Sequence, residues 1–382
     1  MQYVDFQGER LSKLGLGTMR LPVVDGRHGE VDVPATNEIV DAALEAGINY
    51  FDTAWGYHDG ASERVIGASL ARHERSTWNL ATKFPSYNVG NFGKHEQIFE
   101  EQLEKCHVDH FDFYLLHNVN EANISRYLNE EQYGTVGYFV KQKEAGRIRH
   151  LGFSTHGQWD VFHSFLERFG EHMEFCQLQL NYFDWTFQDA RRRFEYCTSN
   201  GLPVWAMEPL RGGRLCRLSD GELAKLDALR PGVSACEWAF RWLQTIGGGG
   251  VVLSGMGSVE QVLENARVFD EPAPLSEEEM EALQGVASDM SSSIGVPCTS
   301  CHYCTAHCPM GLDVPFLLYL YNEQLSKEGD LSFIPPMYVG SLPAGKRPSA
   351  CIACHACQKV CPQNIDVPAA LEELAEAVEK KE

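Results

Sequence analysis

The chain has 382 residues, 44% hydrophobic and 22% charged, an ordinary globular composition long enough for two domains. Its 32 Lys and Arg against 53 Asp and Glu give a net charge of −21, a surface that repels nucleic acid and anionic membrane and excludes both as expected partners. The start Met1-Gln2-Tyr3-Val4-Asp5 has no secretory character, no apolar run approaches the roughly 18 residues of a membrane span, and 13 cysteines in such a chain predict reduced thiols and metal ligation in an anaerobic cytoplasm, not disulfides.

In chain order, residues 2–13 predict a hairpin turning at Gln7-Gly8-Glu9 and capping a barrel floor. Strands follow at 14–17, 48–54, 78–83, 111–117, 148–155, 175–180, 203–208 and 251–255. Their continuous apolar runs suit strands buried on both faces of a parallel sheet. Helical periodicity lies between them at 35–46, 61–73, 96–106, 159–168, 190–200, 236–245 and 259–268. Eight strands alternating with helices over about 250 residues predict an α/β fold, a (β/α)8 TIM barrel. Residues 270–293, with Pro272, Pro274, an acidic helix start and a serine run, mark the boundary between domains at 1–290 and 291–382.

The second domain carries two runs of C-x2-C-x2-C-x3-C-P: Cys298, Cys301, Cys304, Cys308-Pro309 and Cys351, Cys354, Cys357, Cys361-Pro362. Three thiolates at such intervals meet three corners of one [4Fe–4S] cubane, and the fourth, ahead of Pro, ligates the other cluster. Cys298, Cys301, Cys304 and Cys361 therefore belong to one cluster, and Cys351, Cys354, Cys357 and Cys308 to the second. Zinc, with four ligands commonly arranged as two C-x2-C pairs, fits this spacing poorly. Helical sequence at 314–327 and 367–380, with a loop at 334–348, predicts a small, mainly helical ferredoxin-like module. The other five cysteines, Cys106, Cys176, Cys197, Cys216 and Cys236, read as buried or neutral thiols.

In a barrel of this kind chemistry sits at the carboxyl ends of the strands. Successive strands end on Asp52 with Tyr57 just beyond, on Lys83, and on His117. Tyr57 can protonate a carbonyl oxygen. Its unperturbed pKa of about 10 is high for that task, and a neighbouring Lys83 ammonium is expected to lower it while Asp52 holds the lysine. His117 can orient the carbonyl. Each residue alone has an ordinary alternative: a core histidine, a salt-bridged lysine, a packed tyrosine.

The stretch Phe51-Asp52-Thr53-Ala54-Trp55-Gly56-Tyr57-His58-Asp59-Gly60-Ala61-Ser62-Glu63-Arg64-Val65-Ile66-Gly67, together with Thr82-Lys83, Asp112-Phe113-Tyr114-Leu115-Leu116-His117, Gly152-Phe153-Ser154 and Glu208-Pro209-Leu210, resembles the aldo-keto reductase family over roughly residues 1–290. With the cluster tail, the chain is similar to that family's ferredoxin-tailed branch. The resemblance implies NAD(P)H-dependent carbonyl reduction by a tetrad of Asp52, Tyr57, Lys83 and His117. It also implies Ser154 and Gln177 at the nicotinamide carboxamide, and Leu210, Gly212 and Gly213 at the pyrophosphate. Gly255, Ser258, Gln261, Glu264 and Asn265 would face the adenosine. Three departures stand out: Thr155 replaces the usual Asn, Met207 replaces the aromatic that stacks on nicotinamide, and the basic pair that grips a 2′-phosphate falls on uncharged Gly255 and Gln261. Both NADPH and NADH therefore stay open; Arg267 and Arg214 read either as substitute cations or, in the simpler reading, as ordinary surface arginines.

Nicotinamide passes two electrons as a hydride, whereas an iron–sulfur cluster passes one at a time. The chain has no separate flavin fingerprint, although a barrel mouth has room for a flavin to reconcile them. Three readings follow: a reductase of a small carbonyl substrate linked through the clusters to a redox protein partner, a conventional NAD(P)H carbonyl reductase with structural clusters, and a non-enzymatic electron carrier or docking protein. Specificity is expected from the loops 85–94 and 118–133, with Trp55, Phe84, Tyr87, Phe183 and Trp185 as candidate pocket aromatics.

Overall fold

Eight short strands, mostly buried on both faces, close into a parallel barrel in the computed structural model, which describes residues 1–292, 295–296, 298, 304–325, 334–361 and 363–379. A hairpin of β1 (Tyr3–Phe6) and β2 (Glu9–Ser12) comes first; Gln7 and Gly8, both at positive φ, make the two-residue turn that matches strand twist. The barrel strands are β3 (Leu14–Gly17), β4 (Tyr50–Asp52), β5 (Asn79–Phe84), β6 (Phe111–Val119), β7 (Ile148–Thr155), β8 (Phe175–Gln179), β9 (Val204–Met207) and β10 (Gly249–Ser254), and β10 returns to pair with β3. All eight lie where the apolar runs predicted them.

The helices of this first unit are α1 (Val33–Glu45), α2 (Ser62–Leu70), α3 (His95–Cys106), α4 (Ile124–Leu128), α5 (Glu130–Tyr133), α6 (Thr135–Glu144), α7 (Trp159–Phe169), α8 (Asp184–Phe187), α9 (Ala190–Ser199), α10 (Asp220–Asp227), α11 (Ala235–Ile246) and α12 (Val259–Asp270); α13 (Glu277–Ser292) begins in it and continues past its end. The first of them shows why they form. Asp32 caps α1 by accepting from Ala35 N, Pro34 sits in the first turn, and Thr36, Ile39, Val40 and Ala43 make one buried stripe. The loop expected at 118–133 holds α4 and α5, and α6 follows before β7. Their short lengths, and the Gly, Thr and Val in α6, gave little helical signal.

Period-two alternation along each strand stacks the barrel interior in layers. Tyr50, Ala81, Phe113, Leu115, Phe175, Trp205, Val251 and Leu253 form the lower layers, and the hairpin adds Phe6 and Leu11 beneath them. Phe6 meets Trp205 edge-on at 4.9 Å between ring centroids, and Phe175 lies 4.6 Å from Trp205. The hairpin therefore closes the amino-terminal end of the barrel, leaving the carboxyl end for chemistry.

The chain divides into Met1–Glu281 and Ala282–Glu382. In the second unit α14 (Val314–Leu325), α15 (Ile334–Ser341), α16 (Ala356–Lys359) and α17 (Val367–Val378) surround one apolar core containing Leu317, Leu320, Tyr338, Leu371 and Leu374. Cys304 and Cys357 are buried within that core. The expected loop at 334–348 is corrected over its first half, because α15 begins at Ile334. Pro335 and Pro336 fall in the first turn of this helix, where Pro is tolerated. No helix among the described residues is long and apolar enough to cross a membrane.

Gly67 in α2 lies so close to α3 that a β-carbon there would sit 2.6 Å from Cys106 backbone atoms. Gly67→Ala is expected to destabilise the barrel by about 1–3 kcal/mol, measured as a lowered urea midpoint with an unchanged slope; an unshifted midpoint contradicts this packing.

Candidate active site

The alternation that builds the floor also places the polar groups at the barrel mouth. Two residues above Tyr50 stands Asp52, two above Ala81 stands Lys83, two above Leu115 stands His117, and two above Phe175 stands Gln177. Lys83 Nζ lies 2.6 Å from Asp52 Oδ1 and 2.7 Å from the Thr53 carbonyl, with both side chains of the ion pair buried. The same ammonium is 3.4 Å from the Tyr57 hydroxyl. The rings of Tyr57 and His117 meet edge-on with centroids 6.2 Å apart, and Tyr87 closes on His117 from another side at 5.5 Å. The four residues predicted to act together are thus gathered around one point.

Their electrostatics differ from the sequence expectation in one respect. Burial pushes the Tyr57 hydroxyl above its ordinary value and prevails over the downward pull of the Lys83 ammonium, with Asp52 and Glu208 adding to the rise. The lysine's pull is real but does not carry the phenol below the usual range. Burial opposes the charge on Lys83, yet the Asp52 carboxylate and the Tyr57 oxygen hold its pKa above the ordinary value, so it stays an ammonium. Burial drives His117 well below the usual imidazole range, and the charges of Lys83 and His156 push the same way, so His117 is neutral near pH 7.

Several supports lay beyond sequence reasoning. Tyr57 begins a turn in which His58 and Asp59 both take left-handed φ, of 52° and 53°. The buried His58 ring fastens that turn, its nitrogens 3.0 Å and 3.1 Å from the carbonyl oxygens of His28 and Thr18. Behind Lys83, buried Glu63 Oε1 accepts from Thr82 Oγ1 at 2.7 Å and from Gln102 Nε2 at 2.6 Å, and Gln102 also reaches the Lys83 carbonyl at 3.0 Å. The signals for this network were Glu63, inside the family-like stretch, and Thr82 of the Thr82-Lys83 pair. Beyond β8, Asp184 and Arg211 form a fully buried pair, Nε to Oδ1 3.0 Å, that ties the loop after β9 to the loop after β8.

The residues assigned to a nicotinamide fall along one arc of the rim. Ser154 and Gln177 are buried at the ends of β7 and in β8. Ser154 Oγ accepts from Asn118 N at 2.8 Å. Gln177 Nε2 points to Asp52 Oδ2 at 3.4 Å, while its Oε1 is buried without a hydrogen-bond partner. An acceptor left open in this way fits the amide N–H of a carboxamide. Leu210 leads into a turn where Gly212 and Gly213 take φ of 68° and 95°, values that exclude most side chains. Gly255 precedes α12, which Ser258 caps; Gln261 Oε1 accepts from Gly257 N at 2.8 Å, Asn265 Nδ2 donates to Ser254 Oγ at 3.2 Å, and Glu264 is exposed. Arg20, which carried no sequence signal, bridges these two groups. A β-carbon on Gly212 would lie 3.2 Å from Arg20 Nη2, and one on Gly255 would lie 2.6 Å from its Cγ. Of the five pocket aromatics, Tyr87 reaches the site; Phe84 packs on Phe92 and Phe139, Phe183 on Phe187, Trp185 on Trp242, and Trp55 under Lys105 Nζ at 3.4 Å.

Cys308, Cys351, Cys354 and Cys357 line a single small pocket of about 20 Å³ in the second unit, the four cysteines assigned to one cluster. Among the described residues no three His, Cys, Asp or Glu side chains are gathered for a single metal ion. In the other set Cys298, Cys304 and Cys361 adjoin the same apolar core, and Cys301 lies outside the described residues. The expectation that the remaining cysteines are all thiols is corrected at two positions. Cys216, just past the double-glycine turn, and Cys236, in the first turn of α11, have Cα atoms 4.5 Å apart and form a disulfide. Cys106, Cys176 and Cys197 are buried free thiols.

Comparison with known proteins agrees with this geometry. The Aldo/keto reductase family pattern matches residues 13–288, and a 4Fe-4S dicluster domain pattern matches residues 297–366. L-galactose dehydrogenase of Arabidopsis thaliana is 29% identical over 218 residues, covering 54% of this chain and 64% of that protein. NADH-specific methylglyoxal reductase of Escherichia coli is 26% identical over 222 residues, 54% of this chain and 65% of that protein. The chain thus spans just under two thirds of the length of these two relatives. An aldo-keto reductase from Klebsiella pneumoniae, solved in complex with NADPH, superposes with a TM-score of 0.59 at 25% identity, covering 75% of this chain and 96% of that one.

Lys83→Met would strand the Asp52 carboxylate without its cation and is expected to cost about 3–5 kcal/mol. Lys83→Met with Asp52→Asn should recover part of that loss. Urea unfolding of the two variants measures the coupling, and strictly additive effects would contradict a paired site.

Proposed function

We propose, from the premise that the chain belongs to the aldo/keto reductase family, that it reduces a small carbonyl compound with a nicotinamide cofactor and that its iron–sulfur module links this reaction to one-electron transfer. The observation that carries the reading is the Lys83 ammonium, buried on Asp52 and within 3.4 Å of the Tyr57 hydroxyl. We assign residues 1–290 to the reductase domain and 291–382 to the cluster domain, and the cytoplasm as compartment. The family matches, one ending at 288 and the other beginning at 297, support that boundary, and the compact units divide somewhat earlier, after Glu281.

In this reading a nicotinamide cofactor, when bound, supplies a hydride to the carbonyl carbon. The chain's own residues then manage the oxygen. Neutral His117 donates an N–H to it, and Tyr57 gives up its hydroxyl proton as negative charge develops there. Lys83 stabilises the resulting phenolate, and Asp52 keeps Lys83 charged and fixed. Gln177 Oε1 accepts from the carboxamide, Ser154 Oγ offers its hydroxyl hydrogen to the same group, and the turn of Leu210, Gly212 and Gly213 with Arg20 holds the pyrophosphate. Uncharged Gly255 and Gln261, with exposed Glu264 a turn further along α12, favour a free 2′-hydroxyl over a 2′-phosphate. NADH is accordingly proposed as the better donor, and the NADH specificity named for the Escherichia coli relative points the same way.

Cys308, Cys351, Cys354 and Cys357 would hold one [4Fe–4S] cluster, and Cys298, Cys301, Cys304 and Cys361 the other; when loaded, these clusters pass electrons singly. A flavin at the barrel mouth is the carrier class that would join single electrons to a hydride. A second reading, with clusters that only knit the tail, draws on Cys304 and Cys357 lying inside the apolar core of their unit.

Anaerobic purification followed by iron, sulfide and cofactor assay is expected to give about eight irons per chain and a visible band that bleaches on reduction. A Cys354→Ser variant that folds and turns over normally would favour the structural reading. Tyr57→Phe is expected to lower kcat by about a hundredfold or more while nicotinamide binding is unchanged; an equal loss of both would overturn the proton-donor role. With Tyr57 raised, the donor keeps its proton on the alkaline side until pH exceeds the ordinary phenol value of about 10. With His117 depressed, the acid side holds until pH falls below about 6.5. A pH–rate profile of kcat/KM should therefore show a plateau spanning those two values, and a limb at pH 7–8 would contradict it.

A further inference from the structure

Two pairs of cysteines outside the cluster runs come together in the barrel unit, and they differ in state. Cys176 and Cys197 are wholly buried, hydrogen-bonded to each other, and remain thiols. Cys216 and Cys236 are half-buried and joined as a disulfide. In a chain expected to keep cluster-ligating thiolates, a bond between two solvent-reachable cysteines is of the kind that forms and breaks in use, because disulfides in reducing compartments are mostly transient or redox-sensing. Cys236 lies in the first turn of α11, the setting in which a cysteine is a ready partner in thiol–disulfide exchange. The neighbouring Glu237 carboxylate is paired with Arg241 at 3.0 Å.

The bond spans 20 residues of the loop after β9. That segment is thinly packed. Leu226 alone among residues 217–234 is buried, and Arg230 pairs with Glu279 at 2.7 Å. The glycine turn at the head of the loop has two tethers. On one side Arg211 is locked into the fully buried pair with Asp184. On the other, Leu215 is buried and Cys216 ends the turn in the disulfide. Between them lie Gly212 and Gly213, the residue type with most backbone freedom to lose. The first tether is shut away from solvent, whereas the second is open to cleavage by a thiol.

We propose that Cys216 and Cys236 form a reversible thiol–disulfide modification site that sets the affinity of the barrel for its dinucleotide, the oxidised pair binding more tightly. This rests on the reading that the turn of Leu210, Gly212 and Gly213 holds the pyrophosphate. With the bond closed, the turn is already ordered when the dinucleotide arrives; with it open, binding has to supply that order. On opening, the Sγ–Sγ bond breaks and each sulfur gains one proton and one electron. The two protons and two electrons come from a low-molecular-weight dithiol, which closes to its own disulfide. Such a coupling is reciprocal, so a bound dinucleotide must protect the disulfide by the same factor by which the disulfide improves binding.

The test uses the full-length, cluster-loaded protein under anaerobic conditions, equilibrated with a dithiol–disulfide buffer. Alkylation with peptide mapping reports the state of Cys216 and Cys236 separately from the cluster cysteines. NAD+ and NADP+, which carry no hydride, are titrated onto each form by calorimetry. The oxidised form is expected to bind the preferred dinucleotide about fivefold or more tightly than the reduced form. Saturating dinucleotide should shift the buffer ratio at half-oxidation by that same factor. Cys216→Ser and Cys236→Ser should each hold the weaker affinity in every buffer, with iron content unchanged. A Cys216–Cys236 bond that survives excess dithiol in the native protein overturns the proposal. So do tighter binding by the reduced form and serine variants that bind like the oxidised protein. Failure of both dinucleotides to bind either form overturns the cofactor reading itself and the coupling with it, whereas equal, measurable affinities in the two forms overturn the coupling alone.

Discussion

The ion pair between Lys83 and Asp52 is the interaction on which the barrel's chemistry depends. An ammonium taken out of water is unfavourable unless a carboxylate and further acceptors meet it. Here one carboxylate, one carbonyl and one phenol oxygen do so. Everything around the pair serves to keep it in register. Thr82 on the same strand is fixed by Glu63, Gln102 bridges Glu63 to the Lys83 carbonyl, and Gln177 steadies the second oxygen of Asp52. The cost of burial also explains the phenol. The enclosure that makes a charge on Lys83 useful raises the Tyr57 hydroxyl, so the site keeps a donor that releases its proton only when charge appears on an acceptor.

The cluster unit solves a different problem. It is built around one apolar core, and Cys304 and Cys357 sit among the leucines and tyrosines of α14, α15 and α17. Metal ligation there would contribute directly to folding.

Much of the fold was legible in the sequence because a strand buried on both faces leaves a continuous apolar run. All eight barrel strands announced themselves in that way, and the residue ending each one named Asp52, Lys83 and His117. The cysteine spacing was equally plain, since it is a geometric demand of the cubane. What stayed hidden depended on contacts between distant segments. Arg20 reaches Gly212 and Gly255 across the rim, Asp184 pairs with Arg211 across two loops, and Cys216 finds Cys236 only because the double-glycine turn brings them together. No local pattern encodes such meetings. The α4–α6 connector failed for another reason: its helices are short, and packing rather than propensity forms them. The direction of Tyr57's shift was misread because a neighbouring charge is visible in a sequence while the depth of burial is not.

The closed floor has a consequence for the order of events. With Phe6, Leu11 and Trp205 plugging the lower end, the barrel is a cup with one opening. Whatever is seated deepest has to arrive first and depart last, and a reactant resting above it becomes a stopper.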